Sequence, residues 1–362
     1  MKEVTKGIIA LVAILVVAGG IYAYENMQES VLKEGDFAEI YYIGYLENGS
    51  VFASSFEGNV SYDTPFDSSK YNLTPLRIYL GKGLPSKLPE GWEYGDIGYI
   101  KGLRVSEIPG LYEALKGMKK GEEKVINLTA AEAFGKVVVN GTKFNSSLIL
   151  GFMATYEVVD VKGVTVEVRW MSEEGETITM PQYWNDIPVQ QPYWIWENAT
   201  EVVSFNDTHV VLETTPNELE NITLYPWWPN ASYAGYNDTT IWITTEPPLG
   251  NFTISAYGYT INARVVEVTD TTIKIEYYAG NQTIEDEVNK TIYFDRQIEM
   301  PRVFTLQKIY IEDELKQYGY SFHPLAGENV IFRVKLLKIY KASGFLISEP
   351  SIWRNSSSLP LG

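Results

Sequence analysis

An uncharged apolar run near the N-terminus constrains this chain most. Residues 7–24, GIIALVAILVVAGGIYAY, are 18 consecutive positions without a charged side chain. A helix of that length is at the lower end of what crosses the ~30 Å hydrocarbon core of a bilayer, so we expect a single transmembrane helix. Lys2 and Lys6 precede the run and two glutamates follow it, which predicts a cytoplasmic stretch at 1–6 and an outward-facing remainder. A cleaved signal peptide and a pilin-like leader cut after Gly7 are the alternatives.

Asparagine sequons give independent evidence for the outward side. The chain has 20 asparagines, and 15 of them begin an Asn-x-Ser/Thr sequon. Chance placement of the hydroxyl residue would give only about three such sequons. We therefore expect a glycosylated cell-surface protein. The predicted glycosylation sites are Asn48, Asn59, Asn72, Asn127, Asn140, Asn145, Asn198, Asn206, Asn221, Asn230, Asn237, Asn251, Asn281, Asn289 and Asn355.

Composition excludes several classes of function. The formal net charge is −17 and no basic stripe is present, which argues against binding to nucleic acid. The chain has no cysteine and only two histidines, His209 and His323, so disulfides, thiol catalysis and His-rich metal sites are excluded. The run Glu285-Asp286-Glu287 reads as a solvated acidic face rather than a calcium site. We expect no metal and no cofactor.

The rest of the sequence predicts mostly β-structure, and its length predicts about two domains. FAEIYYIGYL, starting at Phe37, alternates like a strand, and a hairpin turn follows at Glu47–Ser50. Residues 110–118 form one short helix with an apolar face, bounded by a proline and by glycines. Beyond about Val164 the chain is strand-like, and seven of its nine tryptophans lie between residues 170 and 242. This concentration indicates a separate β-rich module.

Two segments inside that module resemble each other. EVVSFNDTHVVLE at 201–213 aligns without gaps to RVVEVTDTTIKIE at 264–276. Each reads as a strand, a tight turn and a second strand. The pair indicates either an internal duplication or two hairpins that bury the same kind of face.

Residues 35–135 resemble the FKBP family of peptidyl-prolyl cis/trans isomerases. YYIGYLENGSVF at 41–52 is similar to the family's first long hairpin, and PLRIYLG at 75–81 to its strand before the helix. IPGLYEALKGMKKGE at 108–122 is similar to the helix and the turn after it. AEAFG at 131–135 is similar to the family's Ala-Tyr-Gly signature. The resemblance implies an α+β fold, with an antiparallel half-barrel sheet wrapped on a short helix.

A second resemblance indicates that the domain is split in sequence. HPLAGENVIFRVKLL at 323–337 is similar to the returning strand of the SlyD-like branch, which carries a β-rich chaperone insert. We therefore predict an FKBP-like domain at 34–163 and 319–342, an all-β insert at 164–318 and a C-terminal tail at 343–362. A rival closing strand at 151–161 would instead make the domain continuous.

The resemblance implies a pocket of apolar walls instead of a nucleophile. Such a pocket grips the proline ring, strips water from the amide and favours the twisted state. The residues carried over are Tyr42, Phe52, Ile108, Phe134 and Phe332 as catalytic walls, and Leu76, Ile78 and Leu111 as substrate-binding walls.

Two departures from the family pattern affect polar groups. Ala53 stands where the family has an aspartate, and Phe134 stands where its signature has a tyrosine. The sequence Phe-Asp-Ser-Ser at 66–69 is similar to Phe-Ala-Ser-Ser at 52–55, so Asp67 is a candidate replacement for the missing carboxylate. We therefore expect either a weak isomerase or peptide binding without catalysis.

The sequence as a whole predicts a membrane-anchored, extracytoplasmic prolyl isomerase and folding chaperone for secreted or surface proteins. Its expected partners are unfolded or proline-containing polypeptides, the membrane and other surface proteins. The alternative is a catalytically weak or inactive surface glycoprotein of the same fold, with an adhesion, filament or envelope role.

Overall fold

The structure is a computed structural model that describes residues 31–184, 187–256, 259–280 and 282–341. These residues form mostly antiparallel β-sheets with two short α-helices. The predicted transmembrane segment at 7–24 and the tail at 343–362 lie outside the described residues. None of the helices formed by the described residues is long and apolar enough to cross a membrane.

The helices are α1 (Pro109–Leu115) and α2 (Glu312–Gln317). The strands are β1 (Phe37–Leu46), β2 (Val51–Ser54), β3 (Leu76–Tyr79), β4 (Glu123–Leu128), β5 (Lys136–Val137), β6 (Lys143–Ser146), β7 (Ala154–Lys162), β8 (Thr165–Trp170), β9 (Thr177–Ile178), β10 (Tyr183–Trp184), β11 (Ile187–Pro188), β12 (Thr200–Phe205), β13 (His209–Thr214), β14 (Ser232–Tyr236), β15 (Thr240–Thr245), β16 (Gly250–Ala256), β17 (Tyr259–Val268), β18 (Thr272–Ala279), β19 (Gln282–Asn289), β20 (Thr291–Asp295), β21 (Gln297–Pro301), β22 (Val303–Gln307), β23 (Tyr320–Ser321) and β24 (Val330–Tyr340).

The chain divides into two compact units. Of the described residues, the first unit comprises 31–137 and 319–341, and the second comprises those between 138 and 318. In the first unit, the sheet order is β2-β1-β24-β4, and β3 pairs with the first half of β1 while β2 pairs with its second half. The returning strand β24 pairs antiparallel with β1 and β4. Strands distant in sequence therefore close one sheet over α1.

The boundary between the units falls earlier than the predicted limit at residue 163. At the ends of the first unit, Lys136 N–H donates to Gly319 O at 2.8 Å, and β5 pairs parallel with β23. Residues 138–163, expected in the first domain, belong to the second unit. The rival closing strand at 151–161 falls largely within β7, which pairs with β6 and β8. Alternate residues of β6 and β7 are buried, and the Tyr156 ring contacts Phe304 of β22 edge-on, so the second unit begins earlier than residue 163.

The second unit is built of small antiparallel sheets. Their orders are β21-β13-β12-β9, β14-β15-β20, β16-β17-β18-β19 and β22-β8-β7-β6, together with the β10-β11 pair. Helix α2 also lies here. The insert was expected to be all-β, and it contains this helix as well. Its N-cap residue, Ile311, makes no side-chain cap hydrogen bond, so the available start signal was the acidic first turn, Glu312–Glu314.

Three hairpins of the second unit share one geometry. The two predicted repeats form β12-β13 and β17-β18, and each has a register shift that leaves one residue unpaired, Val203 and Val266. These residues occupy equivalent positions in the alignment. The β7-β8 hairpin has the same shift at Val159, again within a Val-Val pair. The recurrence of a bulge at one position is more specific than a shared hydrophobic pattern and favours repetition of one unit.

Candidate active site

Eight of the nine predicted site residues share one hydrophobic cluster in the first unit. Ile78, Ile108, Leu111, Phe134 and Phe332 are fully or almost fully buried, and Tyr42 is 7% exposed. Phe52 and Leu76 are half-buried and pack on the cluster's edge. The buried members form the floor of the site, so a substrate would meet the half-buried side chains first.

A β-bulge brings Phe52 into this cluster. Gly44 pairs with Ala53 and Tyr45 pairs with Val51, which leaves Phe52 between them without a partner on β1. A bulge re-aims the side chain of the extra residue. As a result, Phe52 and Ala53 both pack on the same cluster although they are consecutive in a strand.

Gly44 makes room for the aromatic rings. It lies opposite Phe332 on β24, and a Cβ atom at Gly44 would lie 2.6 Å from Phe52 Cζ and 2.9 Å from Phe332 Cε1. Contacts that short do not occur in proteins without a shift of one partner. Any side chain at this position would therefore displace a ring.

The ring of Phe52 contacts two other rings edge-on. Its centroid lies 5.7 Å from that of Phe134 at 83°, and 5.7 Å from that of Phe332 at 89°. T-shaped pairs of this kind contribute about 0.5–1.5 kcal/mol each beyond the area they bury. The three rings thus make a preformed apolar surface.

The start of α1 supplies a further wall. Ile108 is the N-cap residue in extended conformation, and Pro109 follows at the first helical position, where its missing N–H costs nothing. A Cβ atom at Gly110 would lie 2.5 Å from Leu128 Cδ2, so glycine allows the first turn of α1 to approach β4 closely. This close approach holds the buried Ile108 and Leu111 side chains against the sheet.

His323 is a site residue that the sequence analysis did not select. Its imidazole stacks on the Phe134 ring with centroids 4.4 Å apart and planes 11° from parallel. Leu325 N–H donates to Nδ1 at 3.0 Å, so the imidazole proton resides on Nε2, which donates to Lys101 O at 2.8 Å. Hydrogen bonds at both nitrogens thus fix the orientation of the ring. The His-Pro sequence that identified the returning strand was the signal that could have selected His323.

Tyr42 is the one wall residue with a polar tip. Its backbone exchanges hydrogen bonds with the buried Ser55: Tyr42 N–H donates to Ser55 Oγ at 3.1 Å, and Ser55 N–H donates to Tyr42 O at 2.9 Å. Burial raises the pKa of the Tyr42 phenol. The hydroxyl is thus kept neutral and can donate a hydrogen bond.

Asp67 does not reach the cluster, which corrects the expectation that it replaces the carboxylate missing at Ala53. Its neighbour Phe66 packs in a different cluster with Ile43, on the opposite face of β1. The Asp67 carboxylate accepts hydrogen bonds from Ser69 Oγ at 2.6 Å and from Ser69 N–H at 3.0 Å. These bonds, the side-chain bond first, hold the pKa of Asp67 below its usual value. The side chain caps its own turn.

Leu103 and Leu325 are two further half-buried side chains that the sequence analysis missed. Both pack on the edge of the same cluster, as Ala53 does. Neither leucine lies in a strand or helix, so no periodic pattern pointed to them. Like Phe52 and Leu76, they are half-buried, so part of each side chain is accessible to a substrate.

The predicted glycosylation sites lie on the surface wherever the structure describes them. Thirteen of the fifteen asparagines fall among the described residues, and all thirteen side chains are exposed. Asn281 and Asn355 lie outside the described residues.

The comparison with protein families agrees with this geometry. Residues 28–153 match the model of the family described as FKBP-type peptidyl-prolyl cis-trans isomerase. This stretch is an FKBP-type peptidyl-prolyl isomerase domain. The match includes every wall residue except Phe332, and its last part, residues 138–153, lies in the second unit. Phe332, like the stacked His323, comes from the part of the chain after the second unit.

The chemistry available to this isomerase domain is desolvation and shape, because its walls are aromatic and aliphatic. Rotation about a peptide bond breaks no covalent bond, yet meets a barrier of about 18–20 kcal/mol from amide resonance. No cluster of three or more histidine, aspartate or glutamate side chains suited to a metal ion occurs among the described residues. The isomerase family acts on proline-containing polypeptides, and the half-buried side chains at the edge of the cluster offer apolar contact for the proline ring.

Proposed function

We propose that the first unit catalyses prolyl isomerisation at a reduced rate, through the apolar surface around Phe52. The observation that carries this proposal is the three-ring arrangement with Phe134 and Phe332, held over Gly44 without intervening side chains. A proline ring seated against Phe52 would draw its amide out of water. A drier amide loses less resonance stabilisation on twisting, which favours the transition state over either planar isomer.

The rate is reduced because two polar side chains are absent. Ala53 and Phe134 carry no hydrogen-bonding group, and Asp67 is held elsewhere in its own turn. A net hydrogen bond contributes about 0.5–1.5 kcal/mol, and about 1.4 kcal/mol is one factor of ten in rate. Each absent partner therefore lowers the rate up to roughly tenfold.

A protease-coupled isomerisation assay on the purified full-length chain tests this proposal. We expect the chain to accelerate the cis-to-trans conversion of a prolyl tetrapeptide. Phe52→Ser should remove most of the acceleration, because it deletes both edge-on ring pairs. Val125→Ser is the matched control, since Val125 is 55% exposed on β4 of the same unit. Equal rates for the two variants would contradict a site at Phe52.

The unit's place in the cell follows, in this proposal, from the N-terminal segment. A membrane helix at 7–24, with Lys2 and Lys6 on its cytoplasmic side, would leave the isomerase domain outside the cell. The exposure of every described sequon supports glycosylation there. Protease added to intact cells should release fragments that carry glycan mass, while complete protection until lysis would overturn the orientation.

The second unit, in the same proposal, holds client polypeptides for the isomerase domain, and the natural clients are secreted or surface proteins. The rival is a surface glycoprotein with an adhesion, filament or envelope role, which Ala53 and Phe134 favour because they remove polar groups of the family pattern. The isomerase assay separates the two. No acceleration by the wild-type chain would leave the rival in place.

A further inference from the structure

A cavity of about 670 Å³ lies within the second unit, next to strands β20 and β21. This volume is in the range typical of ligand-binding pockets. The cavity's lining includes Met180, Gln190, Gln191, Tyr193, Asp295 and Met300. None of these residues belongs to the isomerase site, so the cavity is a separate feature of the molecule.

One wall of the cavity is fixed before any ligand arrives. The Tyr193 hydroxyl donates to the backbone oxygen of Asp295 at 2.6 Å, and its ring contacts Phe294 edge-on with centroids 5.1 Å apart. Strand β20 pairs with β15, and β21 pairs with β13. A preformed wall lowers the entropy lost when a flexible ligand binds.

The lining combines apolar side chains with polar groups. Most of its residues are aliphatic, aromatic or proline, and Met180 and Met300 add flexible thioethers that adapt to ligands of different shape. Gln190 and Gln191 are exposed, and each amide can both donate to and accept from a peptide backbone. A polypeptide offers side chains for the apolar residues and a backbone for the two amides, so the lining suits an extended polypeptide.

Charge gives a second criterion for the ligand. Among the cavity's described lining residues, Asp295 carries the only charge. Residues 138–318 hold 26 acidic and 10 basic side chains, whereas the rest of the chain is nearly balanced with 20 and 19. Almost the whole negative charge therefore belongs to the unit that contains the cavity. Such a field attracts cationic ligands and repels anionic ones.

We propose that this cavity binds extended polypeptide segments in which aliphatic or aromatic side chains stand next to lysine or arginine, with no requirement for proline. The inference rests on the proposed holding function of the second unit and assigns that function to a place and a ligand chemistry. Apolar side chains enter the cavity, the glutamines bond to the backbone, and the cation lies near Asp295.

Fluorescence anisotropy with labelled peptides tests this assignment on the full-length chain. The probe is a proline-free 12-residue peptide of leucine, phenylalanine and lysine, and a second peptide carries glutamate in place of lysine. We expect the lysine peptide to bind about tenfold or more tightly than the glutamate peptide at low salt, and less so at high salt. Met300→Lys should weaken binding about tenfold, because it places a cation in the cavity.

Two further variants sharpen the test. Ile309→Lys is the matched control, because Ile309 is 72% exposed in the same unit and does not line the cavity. Asp295→Asn keeps the backbone oxygen that Tyr193 binds, and should weaken binding of the lysine peptide only. Circular dichroism should show that all variants are folded as the wild type.

Several outcomes would overturn the assignment. These are unchanged binding in Met300→Lys, equal binding of the two peptides, no binding of either peptide, and displacement of the peptide by a neutral oligosaccharide. The tetrapeptide isomerisation assay on the same preparations separates this inference from the proposed activity. Isomerisation without peptide binding refutes the cavity alone, and binding without isomerisation refutes the catalytic proposal alone.

Discussion

Substituting Gly44 by alanine should disturb the three aromatic rings of the candidate active site directly. The added Cβ would lie 2.6 Å from Phe52 Cζ and 2.9 Å from Phe332 Cε1. Phe332 is fully buried and cannot move aside, whereas the half-buried Phe52 can swing outward. Overpacking of this kind costs about 1–3 kcal/mol, and the loss of two edge-on ring pairs adds to it.

The assay is a double-mutant cycle between Gly44→Ala and Phe52→Leu. Hydrogen exchange of β1 and β24 amides reports the free energy of unfolding of the first unit alone. We expect Gly44→Ala to cost at least ~1 kcal/mol less in the Phe52→Leu background than in the wild type, because the smaller side chain relieves the closest contact. An equal cost in both backgrounds would refute the claim that the two positions share one space. Isomerase activity should fall in Gly44→Ala for the same reason.

Three further predictions concern the pocket, the boundary and pH. Ala53→Asp combined with Phe134→Tyr should raise kcat on prolyl peptides up to roughly a hundredfold, with a smaller change in KM. A change in KM alone would show that the new groups bind the ground state only. Excision of 138–318 with a short linker should leave a domain that unfolds cooperatively, because the residues on either side of the cut are already paired. A protein that lacks 164–318 should instead aggregate, because β7 then loses its partner β8. Burial raises the pKa of Glu314, so the charged form is disfavoured in the folded state. Glu314→Gln should therefore stabilise the protein at neutral pH, with a gain that disappears as the pH falls below the carboxyl's unfolded pKa, and urea unfolding at several pH values would show it.

The walls of the candidate site were predictable because each lies in a dense local motif. In the Ile-Pro-Gly sequence, Ile108 is the N-cap, the proline takes the first helical position and the glycine lets α1 approach β4 closely. Ile108 and Leu111 could therefore be placed without long-range information. Phe332 was placed by the text of the returning strand. Its register against Gly44, however, needed the sheet.

Residues held by long-range geometry were not predictable. His323 is fixed by a carbonyl at Lys101, more than two hundred residues away, and nothing in the local sequence announces that bond. Asp67 was proposed because of a repeated four-residue text. The position of its carboxylate depends on which face of β1 the neighbouring Phe66 packs against. A shift of one residue along a strand changes that face.

The domain boundary was misjudged for a related reason. Residues 138–163 have the same aromatic and β-branched composition as the first domain, so composition shows no change until the tryptophans begin near Trp170. The division is set by pairing, since β6 and β7 find their partners in β8. The bulged hairpin at Val159 carried a usable signal, because its Val-Val text matches the two repeats that the sequence did reveal.

In the proposed function, the first unit accelerates rotation about prolyl bonds through the apolar surface around Phe52. Exchange spectroscopy of a prolyl tetrapeptide at equilibrium, with catalytic amounts of the full-length chain, measures that rotation directly and needs no protease. We expect the cis–trans exchange rate to rise in proportion to the concentration of the chain, with a slope that Phe52→Ser removes and Val125→Ser leaves unchanged. An exchange rate independent of the wild-type concentration would contradict it.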